Sequence, residues 1–584
     1  MNERTLFSVL DDTANRYPDR PALHQPTSAK KGEKYRIYTW GQFRDATREA
    51  ACGLRASGLG KGDVIALDSE TRAEFYLADL AVLANGSISA ALYTSLPFEE
   101  RAQAIVKSEA KAIFAENPKD MSSLREAGAP SNSILWILLT GEAPGAITLA
   151  ELRERGRNAL SADPGLFDRI SSEVRAGDPA ILYLTSGATG QPKMGITSHQ
   201  AVVRNIEMGP EVLPLGPDDV TLVFLPSAHI AQRVVLEFLP IFSGAQIYFS
   251  EGLSRMPLEI RDVRPTFLLA PPRVWERIYS NITTEIRKRP AITRRLFYIA
   301  LGLGLKAAHL RHEGKPIPSW MKSSLKMADR LVFHKIRDRL GGRLRIAASG
   351  AAPLGQDLSH FYEAIGLPLI EGYGLTEAGI VAFNPIGNPR SGSIGKPLPG
   401  IEVKLADDGE LLIKGPCLFS GYYNDPDATS AVMRDGWFHS GDVAEIDSNG
   451  YIYITGRKKE LIVSSNGKKI YPSRIESLFK MEPIISQMIV VGDRQPYVTA
   501  LFTLNPAIAE SLKGTVMEEV GKVVKRVNQH LAPFEQIKRF RILDRELSIE
   551  DGELTPTMKV RRTQVLENFR SEVNELYLGR EEMS

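Results

Sequence analysis

Along the first 180 residues, amphipathic helical stretches alternate with short apolar runs. Trp40, Phe43, Ala46, Ala50 and Leu54 recur at the three- and four-residue spacing of one helix face. Gly58-Leu59-Gly60-Lys61-Gly62-Asp63 ends that pattern, and Val64-Ile65-Ala66-Leu67 follows as a buried strand. A second helix is predicted through Phe75, Leu77 and Leu80. Residues 80–98 are uncharged but carry Asn85, Gly86, Ser87, Ser95 and Pro97, which divide them into a helix end, a turn and a strand. Further buried strands are predicted at Ile181-Leu182-Tyr183-Leu184, Leu222-Val223-Phe224-Leu225, Gln246-Ile247-Tyr248-Phe249 and Phe267-Leu268-Leu269-Ala270. This alternation predicts an α/β fold with open, parallel-rich sheets and helices on their faces.

The texture changes at residues 395–453, where short alternating runs such as Glu402-Val403-Lys404-Leu405 and Glu410-Leu411-Leu412-Ile413 are separated by Asp407-Asp408-Gly409 and Ser448-Asn449-Gly450. A small antiparallel barrel or sheet is predicted there. After the basic turn Gly456-Arg457-Lys458-Lys459 the remaining residues suffice for a compact mixed α/β domain. The expected division is a large N-terminal domain, residues 1–456, with two α/β subdomains and a small β-barrel, followed by a small C-terminal domain, residues 457–584.

Composition is that of a globular protein: 584 residues, 43% hydrophobic and 24% charged, with a net charge of +2. That charge gives no case for a nucleic-acid partner. Two cysteines, Cys52 and Cys417, lie too far apart in sequence to suggest a disulfide framework or a cysteine-rich metal site. The first residues lack a basic segment followed by an apolar signal core, and no apolar span reaches the ~18 residues of a membrane helix, so a cytoplasmic location is expected. Residues 287–345 hold 16 Lys/Arg against Glu313, Asp329 and Asp338, with residues 296–305 apolar. A solvated helical face competes there with a surface for anionic lipid, which would add peripheral contact with the inner membrane surface.

Chemistry concentrates first at Tyr183-Leu184-Thr185-Ser186-Gly187-Ala188-Thr189-Gly190-Gln191-Pro192-Lys193-Met194-Gly195. Glycines let backbone amides approach an anion, hydroxyls add neutral donors, and Lys193 brings a mobile positive charge suited to phosphate oxygens. The common NTPase signature requires a hydroxyl residue after its lysine, whereas Met194 follows Lys193. The segment instead resembles the phosphate-binding loop of the adenylate-forming superfamily, which includes acyl-CoA synthetases, peptide-synthetase adenylation domains and luciferases. The usual form there is Thr-Ser-Gly-Thr-Thr-Gly-x-Pro-Lys-Gly, so Ala188 and Met194 are departures. They leave the lysine and the central glycines in place.

Other segments follow in that superfamily's order. Leu225-Pro226-Ser227-Ala228-His229 resembles its acyl-site segment, and Ala270-Pro271-Pro272-Arg273-Val274-Trp275-Glu276 is similar to long-chain acyl-CoA synthetases in particular. Ser349-Gly350-Ala351-Ala352-Pro353 and Gly372-Tyr373-Gly374-Leu375-Thr376-Glu377 resemble the nucleotide-binding pair of loops. Small residues there admit a flat base, Tyr373 offers a ring to stack on it, Thr376 a donor to the α-phosphate, and Glu377 a hard oxygen for magnesium. Trp437-Phe438-His439-Ser440-Gly441-Asp442 resembles the motif whose aspartate accepts from both ribose hydroxyls, with Arg457 as the second ribose contact. Leu554-Thr555-Pro556-Thr557-Met558-Lys559 resembles the motif of the essential lysine, while Arg561 and Arg562 read as surface residues. Lys459 falls at the family's interdomain hinge.

The whole chain is similar to bacterial long-chain fatty acyl-CoA synthetases. The resemblance implies ATP, Mg2+ and coenzyme A, with a fatty acid as partner substrate. Lys559, Glu377, Thr185 and His229 take the catalytic roles. Thr185, Ser186, Gly187, Thr189, Gly190, Lys193, Gly350, Ala351, Tyr373, Gly374, Thr376, Asp442 and Arg457 hold the nucleotide, and Glu377 and Thr185 the metal. Transfer to acyl-carrier protein, or activation of medium-chain or aryl acids, is the alternative among enzymes; from another class, an acyl-nucleotide sensor competes. Monomer and homodimer remain open.

Overall fold

The apolar runs become the inner strands of two large mixed sheets in the computed structural model, which describes residues 4–27, 33–185, 193–480, 482–512, 514–555 and 558–578. Among the described residues, one sheet orders its strands Gly421–Tyr422, Lys193–Ser198, Pro179–Thr185, Ile88–Ala91, Val64–Asp68, Ala112–Ala115, Leu135–Leu138 and Ile147–Thr148. From Pro179–Thr185 onward its pairs are parallel, and the two joints before it are antiparallel. The other sheet runs Lys396–Pro397, Gly379–Phe383, Leu369–Leu375, Ile346–Ser349, Phe267–Ala270, Val220–Val223, Gln246–Phe249, Pro21–Pro26 and Tyr35–Thr39, with antiparallel strands only at its ends. Parallel strands covered on both faces need apolar residues throughout, which is why they read as continuous runs.

The helix Ala73–Ala84 lies between the two sheets, packing on strands of both, and every one of its residues is buried. Beside it the helices Trp40–Ala56 and Leu149–Ala162 cross at glycine. A Cβ on Gly156 would fall 1.7 Å from the Glu49 carbonyl oxygen, and one on Gly53 would fall 2.0 Å from that of Leu152. Thr39 starts the first of these helices with a capping box, its hydroxyl accepting from the Gln42 N–H.

The alternating stretch folds as a five-stranded antiparallel sheet of Glu402–Leu405, Glu410–Lys414, Trp437–Ile446, Met433–Arg434 and Ile452–Arg457. Its last strand runs through Arg457, which pairs across the ladder with Asp442. Beyond it, Ile485–Val491, Val498–Leu504 and Ile537–Ile542 form a mixed sheet, covered by the helices Pro472–Phe479 and Val516–Asn528 around an apolar core of their own. The basic segment is helical over Ala291–His312 and Ser319–Ala328.

One expectation is corrected. Arg562 is not a surface residue: its guanidinium donates to the Val490 carbonyl at 2.6 Å and to Glu476 at 2.5 Å, and fastens the chain after Lys559 to the small sheet. An arginine directly after another arginine carries no periodic signal of burial.

The glycine crossing gives a paired expectation. Gly156→Ala forces two helix backbones apart and costs about 3 kcal/mol. Gly521→Ala, in the helix Val516–Asn528 with nothing within 4 Å of its Cβ, raises stability by about 0.5–1 kcal/mol. Urea unfolding followed by tryptophan fluorescence and circular dichroism checks both signs.

Candidate active site

The strand Leu369–Leu375 of one large sheet meets the strand Trp437–Ile446 of the five-stranded sheet through Tyr373 and Asp442, and the motif residues converge there. Thr185 ends one strand and Lys193 begins the next, paired across an antiparallel ladder. Ser186, Gly187, Thr189 and Gly190 lie outside the described residues, as does Ala188. The Lys193 ammonium sits 4.9 Å from the centroid of the Tyr422 ring. The Tyr422 hydroxyl donates to Glu377 Oε1 at 2.8 Å, and the Glu377 carbonyl accepts from the Phe419 N–H at 2.8 Å. Tyr422 thus fixes the carboxylate expected to face magnesium beside the lysine expected to face phosphate. No motif flagged this tyrosine; two consecutive tyrosines after a glycine are an ordinary sheet-edge pattern.

The strands Ile346–Ser349 and Leu369–Leu375 are parallel neighbours and present the two nucleotide-loop candidates side by side. A Cβ on Gly350 would lie 3.3 Å from the Gly372 carbonyl oxygen; one on Gly374 would lie 2.5 Å from that of Gly379. Backbones approach here as closely as side chains permit elsewhere. Ala351 adopts φ +69°, a left-handed conformation that costs a non-glycine residue roughly 1–2 kcal/mol.

Tyr373 points its hydroxyl at Asp442, donating to Oδ2 at 2.5 Å, while Arg457 Nε lies 3.2 Å from Oδ1. Burial and the adjacent Asp442 carboxylate hold the Tyr373 phenol well above its ordinary range, so it stays a donor. Each Asp442 oxygen keeps a lone pair for a further donor. Thr376 stands in the turn after Leu369–Leu375 and lines a narrow cavity with Ile230, Val234, Tyr183, Thr197 and Cys417.

Lys559 reaches this cleft from the far end of the chain. Its N–H donates to the Thr555 hydroxyl at 3.0 Å, and its carbonyl accepts from the Thr555 N–H at 2.8 Å, closing a tight turn. Burial, then the Arg457 guanidinium, push its ammonium down to about 8, against the pull of Asp442, Glu377 and Glu460. His229 is pushed down to about 3 by burial and then by Lys559. Its Nδ1 accepts from the Ala231 N–H at 3.2 Å, which leaves a neutral ring with its proton on Nε2. Lys559, Glu377, Asp442, Arg457 and His229 are therefore brought within one another's fields.

Lys459 is not in the cleft. It is exposed on the single-turn helix Lys458–Glu460, where its neighbour Lys458 reaches Asp408 at 2.6 Å and Glu410 at 2.8 Å.

Behind His229 the chain widens into a π-helix, Gln232–Phe238. Arg233 within it pairs with Asp79, and both side chains are fully buried. Burial, then Asp79, hold the Glu237 carboxyl well above the carboxylate range. Glu237 is thereby held toward its neutral form beside Asp79, whose Oδ1 accepts from both Arg233 and Ser89. Arg233 and Glu237, spaced i, i+4, are buried together opposite Asp79. Among the described residues, no cluster of three or more His, Cys, Asp or Glu side chains could hold a metal ion alone. Glu377 contributes a single carboxylate, the usual protein share for magnesium bound with phosphates.

A profile of the AMP-binding enzyme family matches residues 10–423, and that of the AMP-binding enzyme C-terminal domain matches residues 459–581. Long-chain-fatty-acid–CoA ligase FadD15 of Mycobacterium tuberculosis is 34% identical over 560 residues, 92% of each chain. Long-chain-fatty-acid–CoA ligase ACSBG2 of Rattus norvegicus is 28% identical over 98% of this chain and 93% of its own. The adenylation domain of a carboxylate reductase from Mycobacterium chelonae superposes with a TM-score of 0.76 at 21% identity, covering 98% of this chain and 91% of that one. ATP-bound MatB of Rhodopseudomonas palustris gives 0.73 at 22%, over 98% and 100%. These structural likenesses concern the fold. With both profiles matching in order and the ligase relative aligned along nearly its full length, the chain belongs to the AMP-binding enzyme family.

Proposed function

We propose that this protein is a long-chain fatty acid–CoA ligase that works through an acyl-adenylate. The observation that carries the reading is the placement of Lys559 in a cleft shared with Glu377, Asp442, Arg457 and neutral His229. A fatty carboxylate oxygen attacks the α-phosphorus of ATP, the bond to the β-phosphate bridging oxygen breaks, and pyrophosphate leaves. Two anions meet in that step and negative charge concentrates on the phosphoryl oxygens. An ammonium touching both stabilises the transition state more than either reactant. Thr185 to Lys193 would cradle the phosphates, and Asp442, with Arg457, the ribose. Glu377, and Thr185 through its hydroxyl, would hold magnesium, which neutralises phosphate charge.

The thiol of coenzyme A then attacks the acyl carbonyl and AMP leaves. For this step the region after Arg457, taken as a mobile C-terminal domain of residues 457–584, turns about Lys459 and withdraws Lys559 from the acyl carbonyl. His229 and the cavity beside Thr376 form the acyl side of the site. An uncharged imidazole suits it, because a cation there would compete with Lys559 for the carboxylate. The relatives named for long-chain fatty acids support this substrate class over aryl or medium-chain acids, and support coenzyme A over a carrier protein as acceptor.

Peripheral contact with an anionic membrane surface belongs to the same reading. On the helix Ala291–His312, Ile292, Leu296 and Ile299 recur at i, i+4 and i+7 and are 84%, 41% and 54% exposed. Arg295 and Lys306 flank that stripe, and the helix contains no acidic residue. Trp320 and Met327 on the helix Ser319–Ala328, and Leu331 in the π-helical turn Asp329–Phe333 that continues it, are likewise exposed. Exposed apolar stripes with basic shoulders suit a helix lying in a headgroup layer. No helix among the described residues is long and apolar enough to cross a membrane.

Lys559→Ala lowers the rate of acyl-adenylate formation on the order of 10²- to 10³-fold, the loss typical of removing one transition-state contact. It leaves thioester formation from supplied acyl-adenylate within about threefold. Equal loss in both half-reactions removes the assigned role. Because the ammonium must be charged, kcat/KM for adenylation is flat below and falls above the free-enzyme value of about 8; an arginine at the position, measured across pH 6–10, loses that alkaline limb. The double variant Ile292→Ser/Trp320→Ser weakens co-sedimentation with phosphatidylglycerol vesicles, and binding indifferent to salt and lipid charge overturns the membrane contact.

A further inference from the structure

The segment Pro271-Pro272-Arg273-Val274-Trp275-Glu276 takes no part in the chemistry above, yet it connects the nucleotide loop to the region that carries Lys559. It opens the helix Pro272–Arg287. The buried Trp275 indole N–H donates to the Ala348 carbonyl at 3.1 Å, and the Tyr362 hydroxyl donates to the Trp275 carbonyl at 2.7 Å. Ala348 lies in the strand that delivers Ser349, Gly350 and Ala351, so this helix braces the loop from behind.

The neighbouring Glu276 faces across to Lys480, the residue that ends the helix Pro472–Phe479. Lys480 Nζ lies 3.7 Å from Glu276 Oε1 and donates to the Pro353 carbonyl at 2.5 Å, two residues beyond the left-handed Ala351. A second contact flanks the first: a Cβ on Gly355 would lie 3.4 Å from the Ser477 carbonyl oxygen. The loop is gripped from its other side by buried Glu371, which accepts from the Leu354 N–H at 3.3 Å and the Gly392 N–H at 3.2 Å. Residues 353–355 thus sit between a carboxyl of the large region and an ammonium of the small one.

We propose that Lys480, seated on the Pro353 carbonyl and Glu276, is a positioning residue that latches the Lys559-bearing region over the cleft for adenylation and lets go for the thioester step. This rests on the two-step reading given above. Lys480 is about one-quarter exposed, so its docked ammonium has given up part of its water for a charge-assisted bond. An enzyme that must visit two arrangements in every turnover keeps them near balance. A contact present in one arrangement alone then shifts the populations by its full strength. Glu276 sets the direction: a carboxylate partly buried beside the carbonyl, it makes that spot selective for a cation, and the small region offers Lys480 there.

The test measures single-turnover acyl-adenylate formation and, separately, thioester formation from supplied acyl-adenylate and coenzyme A. Lys480→Met keeps the aliphatic stem and removes the charge. The expected result is adenylation slowed roughly tenfold, with thioester formation unchanged or faster. Lys480→Arg restores most of the adenylation rate, and Glu276→Gln loses a smaller part of it. Unaltered adenylation in Lys480→Met overturns the latch, and so does equal slowing of both steps. Lys559→Ala run in parallel separates the two readings. If it still forms adenylate, the assignment of the site fails; if it does not, while Lys480→Met matches the parent protein, only the latch fails.

Discussion

The carboxylate of Asp442 stands where segments far apart in the chain have to meet, and the cleft takes its shape from that meeting. One oxygen receives the hydroxyl of Tyr373 and the other faces the guanidinium of Arg457, so the nucleotide loop and two strands of the antiparallel sheet are tied through one group. The same negative charge tempers the environment of Lys559, which burial and Arg457 together make hostile to an ammonium. Without Asp442 a second cation would be driven into a site already holding Arg457. An interaction between oppositely charged groups in a poorly hydrated cleft is strong enough to decide whether the tail of the chain enters at all.

Much of this was legible in the sequence, for reasons that differ by level. The buried parallel strands stood out because both their faces are covered, leaving uninterrupted apolar runs such as residues 64–67 and 267–270. The nucleotide-loop candidates stood out because close backbone approach admits only glycine and small residues in fixed order, as at Gly350 and Gly374. What stayed hidden were groups whose meaning depends on a partner from elsewhere in the chain. Tyr422 matters because it meets Glu377, Arg562 because it meets Glu476 and the Val490 carbonyl, and Lys480 because it meets Pro353 and Glu276. None has a local pattern of its own. Four of the expected phosphate contacts, Ser186, Gly187, Thr189 and Gly190, lie outside the described residues, and there the reading still rests on the motif.

The cavity proposed for the acyl side shows a different balance. It is lined by aliphatic and small polar side chains and the Tyr183 ring, yet immediately behind it Asp79, Arg233 and Glu237 form a buried set in which burial holds the Glu237 carboxyl toward its neutral form. Replacing such a set with apolar residues often leaves stability unchanged or improved, whereas removing one member strands a charge. The π-helix that carries Arg233 and Glu237 begins three residues after His229, so the imidazole and the pocket wall share their footing with this set. The wall proposed to meet a chain of methylenes is thus backed by buried polar groups.

The adjacent lysines 458 and 459 have a consequence of their own. Lys458 is riveted to Asp408 and Glu410, while Lys459 projects into solvent. In the proposed two-step cycle, the turning of the small region would be taken up in the few bonds after Lys458, which is held to the antiparallel sheet. A joint clamped on one side behaves like a door on its jamb, so the motion proposed above would trace one repeatable arc and bring its lysine back to the same place.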